Sequence, residues 1–173
     1  MEETTKLNTF IQYKYKLLEV LRKYCETDFL SFVQKMAPTL VSDWKTGKHI
    51  KVIANKLKDL EAGKIKRLMV FLPPRSSKSV ICSKLFPAWY IGRNPEHEIL
   101  TVSHSDQLSS DFGRSVRDLI TTEEYQNIFN GVTLRTDVRA AGKWKTNQGG
   151  TYYAAVFLLL ILGTIMTICV DGY

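Results

Sequence analysis

Cysteine is scarce. Cys25, Cys82 and Cys169 are three widely spaced residues in a chain of 173. Their odd number and spacing exclude a disulfide framework and any CxxC metal site, and fit buried thiols in a reducing compartment. Histidine is as scarce: His49, His97 and His104 have no metal-ligand spacing and read as structural or exposed. No basic segment followed by an apolar run opens the chain, so the sequence predicts no secretory leader. No repeat or low-complexity tract is visible. Charge is missing from one end: of the last twenty residues, Ala154 to Tyr173, one is charged, Asp171.

What is present is a basic body with an apolar tail. All 24 Lys and Arg but only 16 of the 17 Asp and Glu lie in residues 1–153, giving that part a formal charge of +8 (24 minus 16). An anionic partner such as nucleic acid, nucleotide or a membrane surface fits such a balance, and so does a plain solvated surface. The length suits one domain and is too short for separate catalytic modules.

Apolar residues from Phe10 to Val33 recur at steps of three and four, which predicts one or two amphipathic helices over 8–36. Thr27 is a candidate cap for the second, and Ala37-Pro38 is expected to end it. A helix is predicted over 48–61, with Ile50, Ile53, Leu57 and Leu60 on one face. Lys66-Arg67-Leu68-Met69-Val70-Phe71-Leu72, bounded by Pro73-Pro74, reads as a buried strand. A helix from Ser77 to Ile91, a strand over 98–103 and a helix from Asp106 to Ile120 follow. Thr121 and Glu124 fit a capping box, and 132–135 reads as a short strand. Alternating strands and helices predict an α/β fold with a parallel sheet, 66–72 beside 98–103.

The junction that carries chemistry is Leu72-Pro73-Pro74-Arg75-Ser76-Ser77-Lys78-Ser79. A strand enters a tight loop that delivers Lys-Ser to a helix N-terminus, the layout of a P-loop. There, backbone N–H groups face phosphate oxygens, the lysine reaches the β- and γ-phosphates, and the next hydroxyl holds Mg²⁺. By that logic Ser76 and Ser77 line the phosphate site, Lys78 is the phosphate lysine and Ser79 the magnesium hydroxyl. Leu72 and Ser77 stand where GxxxxGK[ST] has its glycines, so the loop pays a steric cost wherever φ is positive. The rival reading is a strand–turn–helix with a solvated lysine. Ser103, His104, Ser105 and Asp106 are too close in sequence for a triad and read as helix capping.

The blocks FLPPRSSKSVICSKLFPAWYIGRNP, ILTVSHSDQLSSDFGRSVRDLI, EYQNIF and RAAGKWKTNQGGTYYAA, in that order, resemble the large terminase subunit of tailed phages and prophages, and more narrowly its N-terminal ATPase part. The resemblance spans roughly Trp44 to Ala155. It implies a partial P-loop ATPase-like domain of the ASCE type (44–155), which the sequence sets between a helical N-terminal segment (1–43) and a hydrophobic helical tail (156–173). It implies ATP and Mg²⁺ as ligands, with double-stranded DNA, a portal and a small terminase subunit as partners in DNA packaging. Arg75 matches the family's loop arginine, proposed to act in cis on the γ-phosphate; a surface ion pair is the bland alternative. Trp144-x-Thr146-x-x-Gly149-Gly150 is similar to a family stretch, and reads equally as a hairpin turn with Trp144 in the core.

The likeness stops after Ala155. The family continues into an apolar strand ending in paired acids, which hold Mg²⁺ through water and activate the attacking water. Here Asp171 is followed by Gly172, and the nuclease carboxylates are missing too. The expectation is a truncated remnant with weak or no ATP hydrolysis, its tail the product of a frameshift or a membrane anchor. Tyr152 to Val170 is 19 uncharged residues, about 28 Å as a helix and close to a bilayer core. Lys143 and Lys145 would then keep the body in the cytoplasm. The alternatives are a small membrane-anchored, non-enzymatic protein with a basic interaction surface, and a degenerate product that does not fold stably.

Overall fold

The computed structural model describes residues 2–156 and 167–171. Among the described residues the protein is mixed α/β, with six α-helices and a mixed sheet. Helices α1 (Glu2–Thr27), α2 (Phe29–Leu40) and α3 (Lys48–Glu61) come first. A π-helical stretch, Val80–Leu85, runs directly into α4 (Phe86–Arg93). Strand β1 (Glu98–Ser103), helices α5 (Asp106–Ile120) and α6 (Glu123–Ile128), and strands β2 (Leu134–Ala140), β3 (Lys143–Thr146), β4 (Thr151–Val156) and β5 (Thr167–Asp171) complete it. The strand order is β2-β3-β4-β1, with β5 on the outer side of β1.

Helices α2, α3 and α5 bury the expected apolar faces, with shifted ends, whereas the apolar residues of α1 from Ile11 to Tyr24 are exposed. Asp28, not Thr27, caps α2: its carboxylate accepts from the Ser31 backbone N–H at 3.0 Å and from the Ser31 hydroxyl at 2.9 Å. Thr27 instead donates to the Lys23 carbonyl at 2.8 Å and belongs to α1. Pro38 lies inside the last turn of α2 rather than ending it at Ala37. A proline there removes one helical hydrogen bond. Burial of Met36 and Ala37, and the Val41 N–H bonded to the Ala37 carbonyl at 2.9 Å, carry the helix on to Leu40. Thr122, one residue beyond the expected Thr121, caps α6. Ser105 caps α5, as the capping account of the Ser103–Asp106 cluster requires.

The core is aromatic. Phe29 of α2 meets the edge of Phe86 at 5.5 Å and lies 5.2 Å from Trp89, both of α4. Phe32 packs against Tyr125 and Phe129. The Trp89 indole donates to the Cys25 carbonyl at 3.0 Å, tying the end of α1 to α4. The Tyr125 hydroxyl, also buried, donates to the Ala88 carbonyl at 2.8 Å.

Two expectations about the sheet are overturned. Residues 66–72 form no strand and do not lie beside 98–103. Leu68, Val70 and Leu72 rest on the core while Met69 and Phe71 are exposed. The neighbours of β1 are instead β4, parallel to it, and β5, antiparallel. Both of its edges are therefore taken. The second correction is the tail. Tyr152–Val156 lies in β4 and Thr167–Val170 in β5, so a helix does not run through either end of 152–170. Residues 157–166, the middle of the expected span, lie outside the described residues. Among the described residues no helix is long and apolar enough to cross a membrane.

Candidate phosphate-binding loop

The loop begins where two prolines fix the chain after Leu72. Proline holds φ near −65° and removes a donor, so Pro73-Pro74 can join neither a helix interior nor a strand ladder. The Ser76 hydroxyl turns back to donate to the Pro73 carbonyl at 2.5 Å, closing the turn. Arg75 and Ser77 are left-handed, with φ of 62° and 60°; among the described residues they are the non-glycine positions with positive φ. Such a conformation costs a residue with a side chain about 1–3 kcal/mol. Ser77 is also where the phosphate-loop pattern has its second glycine.

The chain turns helical at Lys78, and the first helical bond runs from the Ile81 N–H to the Ser77 carbonyl at 3.1 Å. Ser76, Ser77, Lys78 and Ser79 therefore stand together at this N-terminus, all partly exposed, with Arg75 exposed beside them. The free N–H groups of a helix's first turn point outward and favour an anion. Neither Lys78 nor Arg75 has an ion-pair partner among the described residues. Four residues on from Lys78, Cys82 is buried. Burial pushes its thiol up to about 11, against the opposing pull of the Lys78 charge.

A magnesium site is another matter. Among the described residues no group of three or more His, Cys, Asp or Glu is arranged to hold a metal. Ser79 contributes one hydroxyl, whereas Mg²⁺ demands near-octahedral oxygen coordination and usually a carboxylate. The residues described here do not fit the ion. Asp137 is engaged elsewhere: it lies on β2, at the far edge of the sheet, and pairs with Arg135 at 2.6 Å. Asp171 lies in β5 opposite Glu98.

The remaining candidates make contacts within the fold. His97 shares a hydrogen bond with the Tyr90 hydroxyl at 2.9 Å. Lys143–Gly150 is the turn side of the β3–β4 hairpin, with Trp144 fully buried. Gly150 is pressed against the backbone of Pro95 and His97 and donates its N–H to the Pro95 carbonyl at 3.0 Å, so it anchors a turn. A surface groove of about 350 Å³ lies between α1, α4 and α6, lined by Arg22, Glu26, Arg93, Phe129 and Asn130 among others, and holds none of the loop residues. Arg93 is spoken for there, donating to Glu61 at 2.8 Å and to the Glu26 carbonyl at 2.9 Å. Arg75's left-handed backbone leaves no signal in the sequence, because arginine has no preference for that region.

Comparison with protein-family models, with curated proteins and with solved structures found no match to this chain.

Proposed function

We propose that residues 73–79 cradle the phosphates of ATP, and that the chain acts as the nucleotide-holding part of a terminase-like DNA-packaging ATPase. The observation that carries this reading is Ser77: a non-glycine residue held left-handed, at the glycine position of the pattern, one residue before a helix N-terminus. Strain of this kind persists where the surroundings impose it, and it clusters at ligand clamps. The backbone amides around Ser76–Ser79 and the Lys78 ammonium are the groups that would hold phosphate oxygens, by charge-assisted hydrogen bonds. Arg75, at the exposed tip of the loop, would bring a second positive charge toward the terminal phosphate. Double-stranded DNA, a portal and a small terminase subunit are the partners that accompany this reading, through the resemblance alone.

The described residues do not complete a magnesium site, so no hydrolytic step is assigned. The reading is nucleotide binding with little or no turnover. Titration calorimetry with ATP tests it. The expected result is binding by the unaltered chain, weakened at least tenfold in Lys78→Ala. Equal affinity of the two proteins, or no binding by either, would count against it.

A further inference from the structure

We propose that helix α1 is a docking helix for an acidic amphipathic helix of another protein. From Ile11 to Tyr24 every residue of α1 is exposed, about 21 Å of helix at 1.5 Å per residue, with Arg22 beside the groove that Arg93 and Phe129 line. A solvated helix of that length would be polar on all sides. This one exposes Tyr13 by 70%, Leu17 by 61%, Val20 by 44% and Tyr24 by 61%. The spacing is four, three and four, the alternation of a heptad a/d seam, and Leu21 widens the stripe at an e position, while Tyr15 and Leu18, also exposed, lie off it at f and b. A seam of this kind is made to receive another helix. An exposed patch of contiguous large apolar side chains marks an interaction site.

The charges beside the seam choose the partner. With Leu17 at a and Tyr13 at d, Lys14 falls at e, and Lys16 and Lys23 at g. All the charged residues bordering the seam over this stretch are lysines. The acids between Ile11 and Thr27, Glu19 and Glu26, fall at c, farther from the seam. Lys23 reaches Glu19 only at 4.0 Å, and Glu26 is held by Arg22 at 2.8 Å. Two copies of this helix would offer no complementary e/g pair in parallel register and would bring g lysines together in antiparallel register. Each copy also carries a net charge of +7. A helix with apolar a and d residues and Glu or Asp at e and g complements both the seam and its border. The proposal stands on α1 alone and does not depend on the phosphate loop.

The test uses the full chain and a four-heptad probe peptide, with leucine at a and d and glutamate at e and g, which discourages the peptide's own pairing. Its twin carries lysine at e and g. Fluorescence anisotropy should show the glutamate peptide binding at least tenfold more tightly than the lysine twin. Leu17→Glu should weaken that binding at least tenfold, and the double variant Lys16→Glu/Lys23→Glu should reverse the preference. Leu17 and both lysines are exposed, so circular dichroism of each variant should match that of the unaltered chain. Equal binding of both peptides, no binding of the glutamate peptide, or an unchanged preference in the double variant would overturn the proposal. So would a stable dimer of the chain alone in sedimentation, or partition onto phosphatidylglycerol vesicles with no affinity for the peptide.

Discussion

The indole of Trp144 lies flat on the ring of Tyr152, centroids 4.8 Å apart and planes within 3° of parallel. The pair joins β3 to β4 on a buried face, and the indole N–H donates to the Gly113 carbonyl at 3.1 Å, fastening α5 onto the sheet. Gly113 has to be glycine, since an added Cβ would run into the Ala141 carbonyl. Trp144→Ala should therefore lower stability by about 3–5 kcal/mol, the range for deleting a large buried aromatic, measured by urea unfolding. A loss under about 1 kcal/mol would mean that this face is not packed as described.

The loop makes a prediction of the opposite sign. Ser77→Gly should raise stability by about 1 kcal/mol, because glycine adopts φ near 60° without a Cβ penalty. Ser77→Val should lower it, since a β-branched residue is the least suited to that region. Midpoints of thermal unfolding for the two variants should fall on either side of the unaltered chain.

Asp28 links stability to pH. Burial pushes its carboxyl up, but hydrogen bonds from Lys58 and Ser31 outweigh burial and hold it below its ordinary value of 3.8. A carboxyl depressed in the folded state contributes stability above its unfolded pKa, and that contribution fades as pH falls through the folded pKa. Asparagine still caps a helix but carries no charge. Asp28→Asn should therefore be less stable than the unaltered chain at neutral pH, and the gap should close as the medium is acidified below about pH 4. A gap that stays constant with pH would show that the charged form of Asp28 contributes nothing through Lys58 and Ser31.

Much of the helical half was legible because its signals are local. The faces of α3 and α5 follow from a 3.6-residue spacing, and Ile50, Ile53 and Leu57 are buried as that spacing requires. Caps were legible to within one residue, since Thr27 and Asp28, or Thr121 and Thr122, are neighbours of nearly equal fitness for the role. The sheet was less so, because strand pairing is decided at a distance. Residues 66–72 have the composition of a buried strand, but β4 and β5 occupy both edges of β1. The apolar tail carries no helix breaker apart from Gly163, yet both described ends of it pair with β1. The phosphate-type loop could be located from Lys78-Ser79 and its flanks. Its backbone strain became visible only in the dihedral angles of Arg75 and Ser77.

Amide hydrogen exchange with and without ATP tests phosphate binding at Ser76–Ser79 directly. Bound phosphate should slow exchange at the amides of Ser76–Ser79 and leave the groove between α1, α4 and α6 unchanged, with the effect lost in Lys78→Ala. ATP-dependent protection at Arg93 and Asn130 with none at Ser76–Ser79, or no protection anywhere, would contradict it.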